Sequence, residues 1–449
     1  MNDKFYVPAK GEINLNFMQR CIERKLASVG KMNFLEDYYN GKQLITERVV
    51  STKSTPDNKV VVNYCKVIAD FYATSLTGKP VDYDSVKATN IDKFREVLDL
   101  NNAESEDSKL SQDMNIFGVA YEQYYIDSDG QLRFTRVSPK NVIVIRDRTV
   151  SENPVCVLKV WKFCDDDDFY NVERYQAGKM TPYKYYVGNQ KLEPGKSESY
   201  MFDRLPFVEI TANEYAQSTF EPIISLQDAY NKLMSLQVDD YEGFVDSFLA
   251  IYNAGGTTDD DIAAMKENRV ILLDGESKAE WLVKNGNPSV IEEIKSSIEK
   301  NIHKISLLPD FSDENFTGNS SGVAIKYKLI GSNSVLAKQQ RSFSTMLDTR
   351  IEFIINYLNT KTGSSLKAKD ISYSFKSLQI DEDEANTSMI NDLYDKIPIA
   401  SLAKNLSFTT PDDIKMIKEN DKQRFSKKEA EPTPTDSTTV KTAETVIKE

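Results

Sequence analysis

The chain has 449 residues and a formal net charge of −13 at pH 7. Non-specific affinity for nucleic acid comes mainly from Lys and Arg side chains that neutralise phosphates, so this charge argues against a monomer that wraps DNA, although it permits weak contact. The length predicts roughly two to four packed units.

The N-terminus and the cysteines indicate a cytoplasmic product without a membrane segment. The start, MNDKFYVPAKGEINLNF, lacks a basic stretch followed by an apolar run, so no signal peptide is expected. Nowhere do about 18 consecutive apolar residues occur, as a membrane span requires. The cysteines show neither CxxC spacing nor a dense framework, which favours reduced structural thiols. They are Cys21, Cys65, Cys156 and Cys164.

Residues 14 to 76 are predicted to be helical. Apolar residues recur at helical spacing up to Gly41. A second helical run begins at Val60 and ends before Gly78 and Pro80, which together form a strong stop signal.

From about residue 119 the hydrophobic period changes to two. Alternation on both sides of Asp129 and Gly130 predicts a hairpin with these residues at its turn. Further strands are expected near residues 142–146, 155–163 and 172–187.

The helical period returns after residue 220. Apolar residues on one face, with Phe248 as the last, predict a helix from about 222 to 249. Two strands around a turn, RVILLDG and AEWLVKN, are expected next. Pro288 then opens a second helix over residues 289–307, which would span roughly 28 Å. Its apolar stripe consists of Ile291, Ile294, Ile298, Ile302 and Ile305.

A polar stretch, PDFSDENFTGNSSG, separates that helix from another helical segment that reaches about residue 359. Gly331, Ser332 and Asn333 interrupt the apolar stripe of this segment, which predicts a kink. Beyond residue 380 the sequence predicts smaller helices and then a disordered polar tail.

Four features could indicate chemistry, and each has a more ordinary interpretation. Gly188–Ser197 ends like a phosphate-binding loop, but its glycines are too far apart. The motif DSDG at residues 127–130 begins like a calcium loop but fits a hairpin turn. The acidic run Cys164–Asp168 is typical of a solvated loop. His303 is the single histidine, which excludes a multi-histidine zinc site. The sequence gives no positive case for catalysis, a metal or a cofactor.

Four longer blocks follow one another along the chain, and they are NKVVVNYCKVIADFYATSLTGKPV at 58–81, FGVAYEQYYIDSDGQLRFTRVSPKNVIVIRD at 117–147, FEPIISLQDAYNKLMSLQVDDYEGFVDSFLAI at 220–251 and PDFSDENFTGNSSGVAIKYKLIG at 309–331. Together they closely resemble the portal proteins of tailed bacteriophages, in the branch found in long-tailed phages of Gram-positive hosts. The resemblance covers roughly residues 15–415.

The resemblance implies an α+β fold that is mostly helical. It has an α/β wing, a two-helix stem, a small β-containing clip, a long kinked helix after a tunnel loop, and a helical crown. Carried over by position, the domains are 1–220 wing, 221–246 stem helix, 247–286 clip, 287–307 stem helix, 308–322 tunnel loop, 323–384 kinked helix returning to the wing, 385–425 crown, and 426–449 disordered tail.

The resemblance also implies a function and partners. A homo-oligomeric ring of about twelve subunits would sit at one vertex of the capsid, in the virion, after assembly in the host cytoplasm. Double-stranded DNA would pass through it during packaging and ejection. The ring would dock the terminase large subunit, then a head-completion or adaptor protein, beside the major capsid and scaffolding proteins. It would be no enzyme, and would use no cofactor, metal or membrane.

The tunnel loop would project into a channel occupied by moving DNA. Apolar bulk there would stick to neighbouring loops and many cations would clamp phosphates, so flexible, polar and weakly acidic residues suit the position. The candidate loop residues are Asp310, Ser312, Asp313, Glu314, Asn315, Thr317, Gly318, Asn319, Ser320, Ser321 and Gly322.

The second stem helix is mixed in charge. Its acidic and basic side chains are expected to pair between adjacent subunits while the isoleucine stripe packs the ring. The candidate stem residues are Glu292, Glu293, Lys295, Glu299, Lys300, His303 and Lys304.

Two alternative functions stay open on the residues alone. One is a metal-dependent nuclease that uses the carboxylates of Asp165–Asp168. The other is a capsid adaptor that assembles without a through-channel.

Overall fold

The computed structural model describes residues 4–8, 11–49, 56–86, 90–245, 248–252, 258, 260, 263, 278–282, 288–310, 322–376 and 417. The chain divides into two compact units, Met1–Ser377 and Leu378–Glu449. Apart from residue 417, everything described below belongs to the first unit.

The described part of this unit contains long and short helices. They are α1 (Leu15–Tyr39), α2 (Tyr64–Thr77), α3 (Asp92–Leu100), α4 (Ala103–Phe117), α5 (Ile224–Val245), α6 (Pro288–Ser306) and α7 (Gly322–Thr362). None of these described helices is both long enough and apolar enough to cross a membrane.

The strands form separate sheets. They are β1 (Phe5–Tyr6), β2 (Asp82–Ser85), β3 (Val119–Ile126), β4 (Leu132–Val137), β5 (Val142–Arg146), β6 (Pro154–Trp161), β7 (Phe169–Gln176), β8 (Lys179–Tyr186), β9 (Lys191–Pro194), β10 (Glu198–Ser199), β11 (Phe207–Thr211), β12 (Phe248–Tyr252), β13 (Lys278–Leu282) and β14 (Ile371–Ser374). The largest sheet has the order β1-β5-β6-β7-β8-β10, with β9 also paired to β8. The others are β11-β3-β4, β12-β13 and β14-β2. Helices and sheets in one unit confirm the α+β class.

Alternating burial explains how the helices and sheets pack. The N-terminal half of α1 places Met18 and Ile22 against one face of the large sheet, where Cys156 is also buried. The C-terminal half of α7 packs between α3, α4 and the sheet β11-β3-β4, with Phe343 and Ile354 fully buried. The two helices therefore cover different sheets and bury separate hydrophobic clusters.

The hairpin predicted around Asp129 and Gly130 is confirmed. β3 and β4 pair antiparallel from Tyr121 opposite Val137 to Ile126 opposite Leu132. Asp127 Oδ1 accepts hydrogen bonds from the backbone N–H of residues 129 and 131, and Gly130 has a φ of 70°. The carboxylate therefore organises the turn itself, as expected of an Asx turn.

Several predicted boundaries were wrong. Residues 60–63 are not helical, and α2 begins only at Tyr64. α5 ends at Val245, and Phe248 begins β12, which pairs with β13. The predicted strand AEWLVKN is thus confirmed in part, whereas RVILLDG lies outside the described residues.

The predicted kink at Gly331, Ser332 and Asn333 stays a prediction. α7 runs from Gly322 to Thr362 without a break in helical structure. Neither α3 nor α4 was predicted from the sequence, although Gly118 marks the end of α4. Gly118 has a φ of 79°, and a Cβ there would lie 2.3 Å from the carbonyl oxygen of Ala216.

Candidate functional site

The candidate site comprises the helices α5, α6 and α7, and positions 311–321, between α6 and α7 in the sequence, lie outside the described residues. α5 and α6 pack antiparallel. Near one end, Gln237 Nε2 donates to Glu292 Oε1 at 2.9 Å. Near the other, Ile302 of α6 is buried in the same cluster as Ile223, which immediately precedes α5. The end of α6 and the start of α7 flank the predicted tunnel loop.

The C-terminal half of α6 packs on Tyr64. The Tyr64 hydroxyl donates to Glu299 Oε1 at 2.9 Å. The ring centroid of Tyr64 lies 5.5 Å from that of Tyr230 and 6.0 Å from that of His303, both edge-on. Burial, together with Glu299, raises the pKa of Tyr64 far above its usual value. His303 therefore sits in a packed, structural environment.

A row of polar side chains joins α5 to the extended segment before α2. Gln227, Asn231, Ser235 and Asp239 are all buried. Their oxygen atoms accept hydrogen bonds from successive alternate backbone N–H groups of Tyr64, Val62, Val60 and Asn58, at distances of 3.0, 3.0, 3.0 and 2.8 Å. We call these four side chains the polar ladder.

The ladder works because two backbone periods coincide. Four residues of helix rise about 6 Å. Two residues of extended chain rise about 6.6 Å, so each fourth helical side chain meets each second backbone N–H. The segment 58–64 thereby satisfies backbone groups without joining a sheet, which is why an apolar run that looks helical is extended here.

Further contacts close the ladder at both ends. Asn231 Nδ2 donates to Gln43 Oε1 at 2.5 Å, and Gln227 Nε2 donates to the carbonyl of Val62 at 2.6 Å. At the far end, the Arg48 guanidinium lies 2.9 Å from Asp239 Oδ2. The first predicted stem helix is therefore attached by hydrogen bonds to neutral groups, with one ion pair at its end.

Where α6 meets α7, a leucine has the backbone conformation that usually requires glycine, and a glycine lies inside a helix. Leu307 follows α6 with a φ of 56°, the left-handed region that normally favours glycine. Gly331 lies within α7, and a Cβ there would approach the Leu307 side chain to 3.2 Å. Glycine at position 331 thus makes room for Leu307, which gives a packing reason for a residue that sequence analysis interpreted as an interruption.

The far half of α7 carries a buried charge cluster, which we define as Asp107, Glu122 and Arg350. Arg350 Nη2 donates to Asp107 Oδ1 at 2.6 Å and to Glu122 Oε1 at 2.7 Å. The guanidinium carbon also lies 4.5 Å from the ring centroid of Phe134. Tyr124 donates to Glu122 Oε2. The cluster joins α7 to α4, β3 and β4.

Burial sets the protonation of this cluster. Arg350 and Glu122 are 0% exposed and Asp107 is 4% exposed. Burial raises the pKa of Asp107 to about 6, against the opposing attraction of Arg350. Although burial opposes it, the two carboxylates raise the pKa of Arg350 well above its usual value. The arginine stays charged while Asp107 is poised to accept a proton.

The predicted stem residues lie on different sides of α6. Lys295 Nζ lies 2.8 Å from Glu292 Oε1, and this hydrogen bond lowers the pKa of Glu292. Glu299 faces Tyr64. Glu293, Lys300 and Lys304 are exposed and form no ion pair with any described residue. Glu292, Lys295 and Glu299 therefore form contacts within the chain, whereas Glu293, Lys300 and Lys304 are available to bind a partner.

Apolar side chains are also exposed beside these open charges. Val290 and Ile294 are both 46% exposed, and Ile305 is 49% exposed. At 100° per residue all three lie on one side of α6, next to the buried stripe that contains Ile298 and Ile302. We call Val290, Ile294 and Ile305 the apolar strip.

Most predicted loop residues lie outside the described residues. These are Ser312, Asp313, Glu314, Asn315, Thr317, Gly318, Asn319, Ser320 and Ser321. Asp310, half-buried, ends the described stretch after α6, and Gly322 is the first residue of α7.

The acidic run Cys164–Asp168 forms the turn between β6 and β7. Asp167 Oδ2 accepts hydrogen bonds from the backbone N–H of Phe163 and Cys164 at 3.2 and 3.1 Å. Within the described residues, no group of three or more His, Cys, Asp or Glu side chains is arranged to hold a metal ion. All four cysteines are unpaired, with Cys164 exposed and the other three buried.

Neither the polar ladder nor the buried charge cluster was predicted from the sequence. The ladder did leave a signal, because Gln, Asn, Ser and Asp recur at four-residue spacing in α5, a pattern that marks a polar contact face on a helix. The charge cluster left none, since Arg350 is separated by 243 residues from Asp107.

Comparison with known proteins assigns the family. The family model described as "Phage portal protein, SPP1 Gp6-like" matches residues 18–427, which include α5, α6 and α7. The chain therefore belongs to the phage portal protein family, whose members are components of the bacteriophage virion.

Individual relatives were also found. The protein named "Portal protein" of Clostridium phage phiCD119 (strain Clostridium difficile/United States/Govind/2006) is 23% identical over 359 residues, which cover 72% of this chain and 77% of the relative. A solved chain from the structure titled "Virion of native gene transfer agent (GTA) particle" has a TM-score of 0.41 and 12% identity, over 73% of this chain and 82% of that chain.

Proposed function

We propose that the chain assembles into a homo-oligomeric ring of about twelve subunits that forms the DNA channel at one capsid vertex. The observation that carries this proposal is the portal-family match across residues 18–427, which spans both antiparallel helices and the polar loop. In this proposal α5 and α6 are the stem, residues 247–286 the clip, and residues 308–322 the tunnel loop.

The exposed side of α6 supports the ring. An apolar strip beside unpaired charges is an unfavourable surface for a free chain but a suitable one for contact with a second copy. In a closed ring each subunit presents the same two surfaces to its neighbours, so Glu293, Lys300 and Lys304 can pair between subunits. The apolar strip packs beside them.

The ring acts as a conduit and a docking platform, without catalysis of its own. Double-stranded DNA passes through it in packaging and ejection while the terminase large subunit drives movement. The head-completion or adaptor protein takes over that docking surface later, and major capsid and scaffolding proteins surround the ring. Residues 323–384 return to the wing, residues 385–425 form the crown and residues 426–449 the tail.

Electron microscopy tests the assembly directly. End-on views of the negatively stained full-length protein should show rings with a central hole and about twelvefold symmetry. Closed particles without a hole, also after co-expression with capsid and scaffolding proteins, would favour the adaptor alternative. DNA cleavage with Mg²⁺ that is lost in Asp165→Asn/Asp168→Asn would favour the nuclease.

Charge reversal tests the loop. Asp313→Lys/Glu314→Lys should leave rings intact but slow DNA packaging severalfold, because new lysines bind passing phosphates. The control is Asp165→Lys/Asp166→Lys, which makes the same charge change in the exposed β6–β7 turn. Packaged DNA per capsid over time is the measurement, and equal rates in the two variants would contradict the loop assignment.

A further inference from the structure

We propose that the buried charge cluster is a proton-operated latch, which holds the C-terminal half of α7 against α4 and β3 more firmly when Asp107 is protonated than when it is ionised. The latch concerns the interior of one chain. It therefore does not depend on the proposed ring.

The number of charges in the cluster is the first argument. One guanidinium faces two carboxylates, so the fully ionised cluster has a net negative charge in the core. An uncompensated buried charge is costly, and a buried carboxyl relieves that cost by taking up a proton. Protonation of Asp107 leaves one ion pair, Arg350 with Glu122, and a neutral carboxyl beside it.

The charged groups that act most strongly on Asp107 are one cation and two carboxylates. From α7 it faces Arg350, and from β3 it faces Glu122, which itself accepts a hydrogen bond from Tyr124. Tyr83 approaches from β2, and Glu106 is the neighbouring carboxyl on α4 itself. Lys109 and the backbone N–H of Arg136 already bind Glu106. The charges that act most strongly on Asp107 besides Arg350 are therefore those of Glu122 and Glu106, which favour its neutral form.

Tyr83 adds no charge to the cluster. Its side chain is buried like that of Arg350, and burial raises the pKa of Tyr83 although the nearby guanidinium opposes this rise. The phenol therefore stays neutral and leaves the second carboxylate uncompensated in the fully ionised cluster.

The sign of the pH effect follows from linkage. The pKa of Asp107 is raised from 3.8 to about 6 in the folded chain. The folded state therefore binds more protons than the unfolded state between these two values, so stability falls as the pH rises through this window. From about pH 5 to about pH 7.5, the equilibrium constant for opening the latch should increase about tenfold.

The latch lies on the helix that directly follows the predicted tunnel loop. α7 begins at Gly322, directly after the predicted tunnel loop, and Arg350 lies within the part of α7 that is packed in the core. A weaker latch frees the core end of the helix whose other end adjoins the loop. Proton uptake at Asp107 therefore adjusts how firmly this helix is held.

Hydrogen exchange on the full-length protein tests the latch. Peptides that cover residues 343–358 are followed by mass spectrometry at about pH 5 and about pH 7.5, after correction for intrinsic exchange rates. In the wild type, corrected exchange should be about tenfold faster at the higher pH. In Asp107→Asn, which keeps an oxygen acceptor for Arg350 but cannot ionise, this difference should disappear.

Asp127→Asn is the control. Asp127 also binds an arginine, Arg133, but this hydrogen bond lowers the pKa of Asp127. Its contribution to stability is therefore present above its unfolded pKa and lost as the pH falls, the opposite direction from Asp107. The tenfold change in residues 343–358 should survive in Asp127→Asn.

Two outcomes would overturn the latch. One is equal corrected exchange of wild type at both pH values, and the other is a tenfold change that persists in Asp107→Asn. If Asp107→Asn fails to fold, infrared difference spectra of the wild type between the two pH values decide. They must show the carbonyl stretch of a buried protonated carboxyl at the lower pH, and its absence refutes the latch.

Discussion

The polar ladder and the buried charge cluster are two different ways of fixing a helix to the same body. The ladder holds α5 with four hydrogen bonds donated by backbone N–H groups, three of which are accepted by uncharged side chains. The cluster holds α7 through one guanidinium that serves two carboxylates. Each contact of the ladder has its own partner, whereas the contacts of the cluster all depend on Arg350.

This difference determines how each junction responds to damage. A neutral hydrogen bond costs little to bury when both partners are satisfied, and its loss affects mainly that pair. A buried charge is tolerated only with its counter-charge, so removing Arg350 leaves two carboxylates exposed to a low dielectric. Substituting one ladder residue should therefore disrupt only the contacts of that residue, whereas substituting Arg350 should disrupt the whole cluster.

Arg350→Met should therefore have the largest effect. It removes the only cation of the cluster and strands Asp107 and Glu122, which should lower the free energy of unfolding by about 3–5 kcal/mol. Chemical denaturation of the full-length chain at neutral pH measures this loss. Acidic conditions should restore part of it, because the stranded carboxyls then bind protons.

Arg204→Met is the matched control for that substitution. Arg204 pairs with Glu352 at 2.5 Å and also lies on an aromatic ring, that of Phe353, but its side chain is 39% exposed. An exposed pair of this kind should contribute at most about 1 kcal/mol. Equal losses in the two variants would show that burial does not distinguish the cluster.

Asn231→Leu should have an intermediate effect. It removes the ladder acceptor of the Val62 N–H and the donor to Gln43, so buried polar atoms lose their partners. The expected loss is about 1–3 kcal/mol. Lys232→Leu introduces the same side chain at the neighbouring, exposed position of α5.

The ladder variant should also be more local than the cluster variant. In Asn231→Leu, hydrogen exchange should increase in residues 58–64 and around Gln43, while residues 343–358 remain protected. Increased exchange across both regions would mean that the two junctions open together, which would remove the distinction drawn between them.

The sequence predicted the parts of this fold that depend on local periodicity. α1, α6 and the β3–β4 hairpin follow from apolar spacing and turn residues within one segment. The non-helical residues 60–63 could not be predicted in the same way, because VVVNYCKV has helical spacing and only the distant ladder on α5 keeps its first residues out of the helix. β12 was missed for a similar reason, since Phe248 continues the helical pattern of α5 but pairs with β13.

The flanking helices of the candidate site were predictable from the sequence, but their contacts were not, and the loop between them stays a prediction. The polar loop and the flanking helices were identifiable from composition, and the charges of α6 from their spacing. Two of those charged side chains, Glu299 and Glu292, accept hydrogen bonds from Tyr64 and Gln237, which belong to other elements. Long-range contacts of this kind cannot be predicted from the sequence, because no local pattern of residues indicates them.

The smallest effect is expected where α6 and α7 meet. Gly331→Leu places a side chain where a Cβ alone would already lie 3.2 Å from Leu307. Leucine favours helix over glycine by about 1 kcal/mol, which opposes the crowding. Overpacking typically costs about 1–3 kcal/mol, so a net loss near the lower end of this range is expected.

Ser334→Leu separates the two contributions in that last prediction. Ser334 is exposed on the same helix, one turn further along, and there the new side chain meets no such obstacle. Denaturation should therefore show Ser334→Leu to be neutral or slightly stabilising and Gly331→Leu to be destabilising. Adding Leu307→Ala to Gly331→Leu should recover stability if crowding against Leu307 is the cause. No recovery would mean that the helix itself, and not the packing of Leu307, requires glycine at this position.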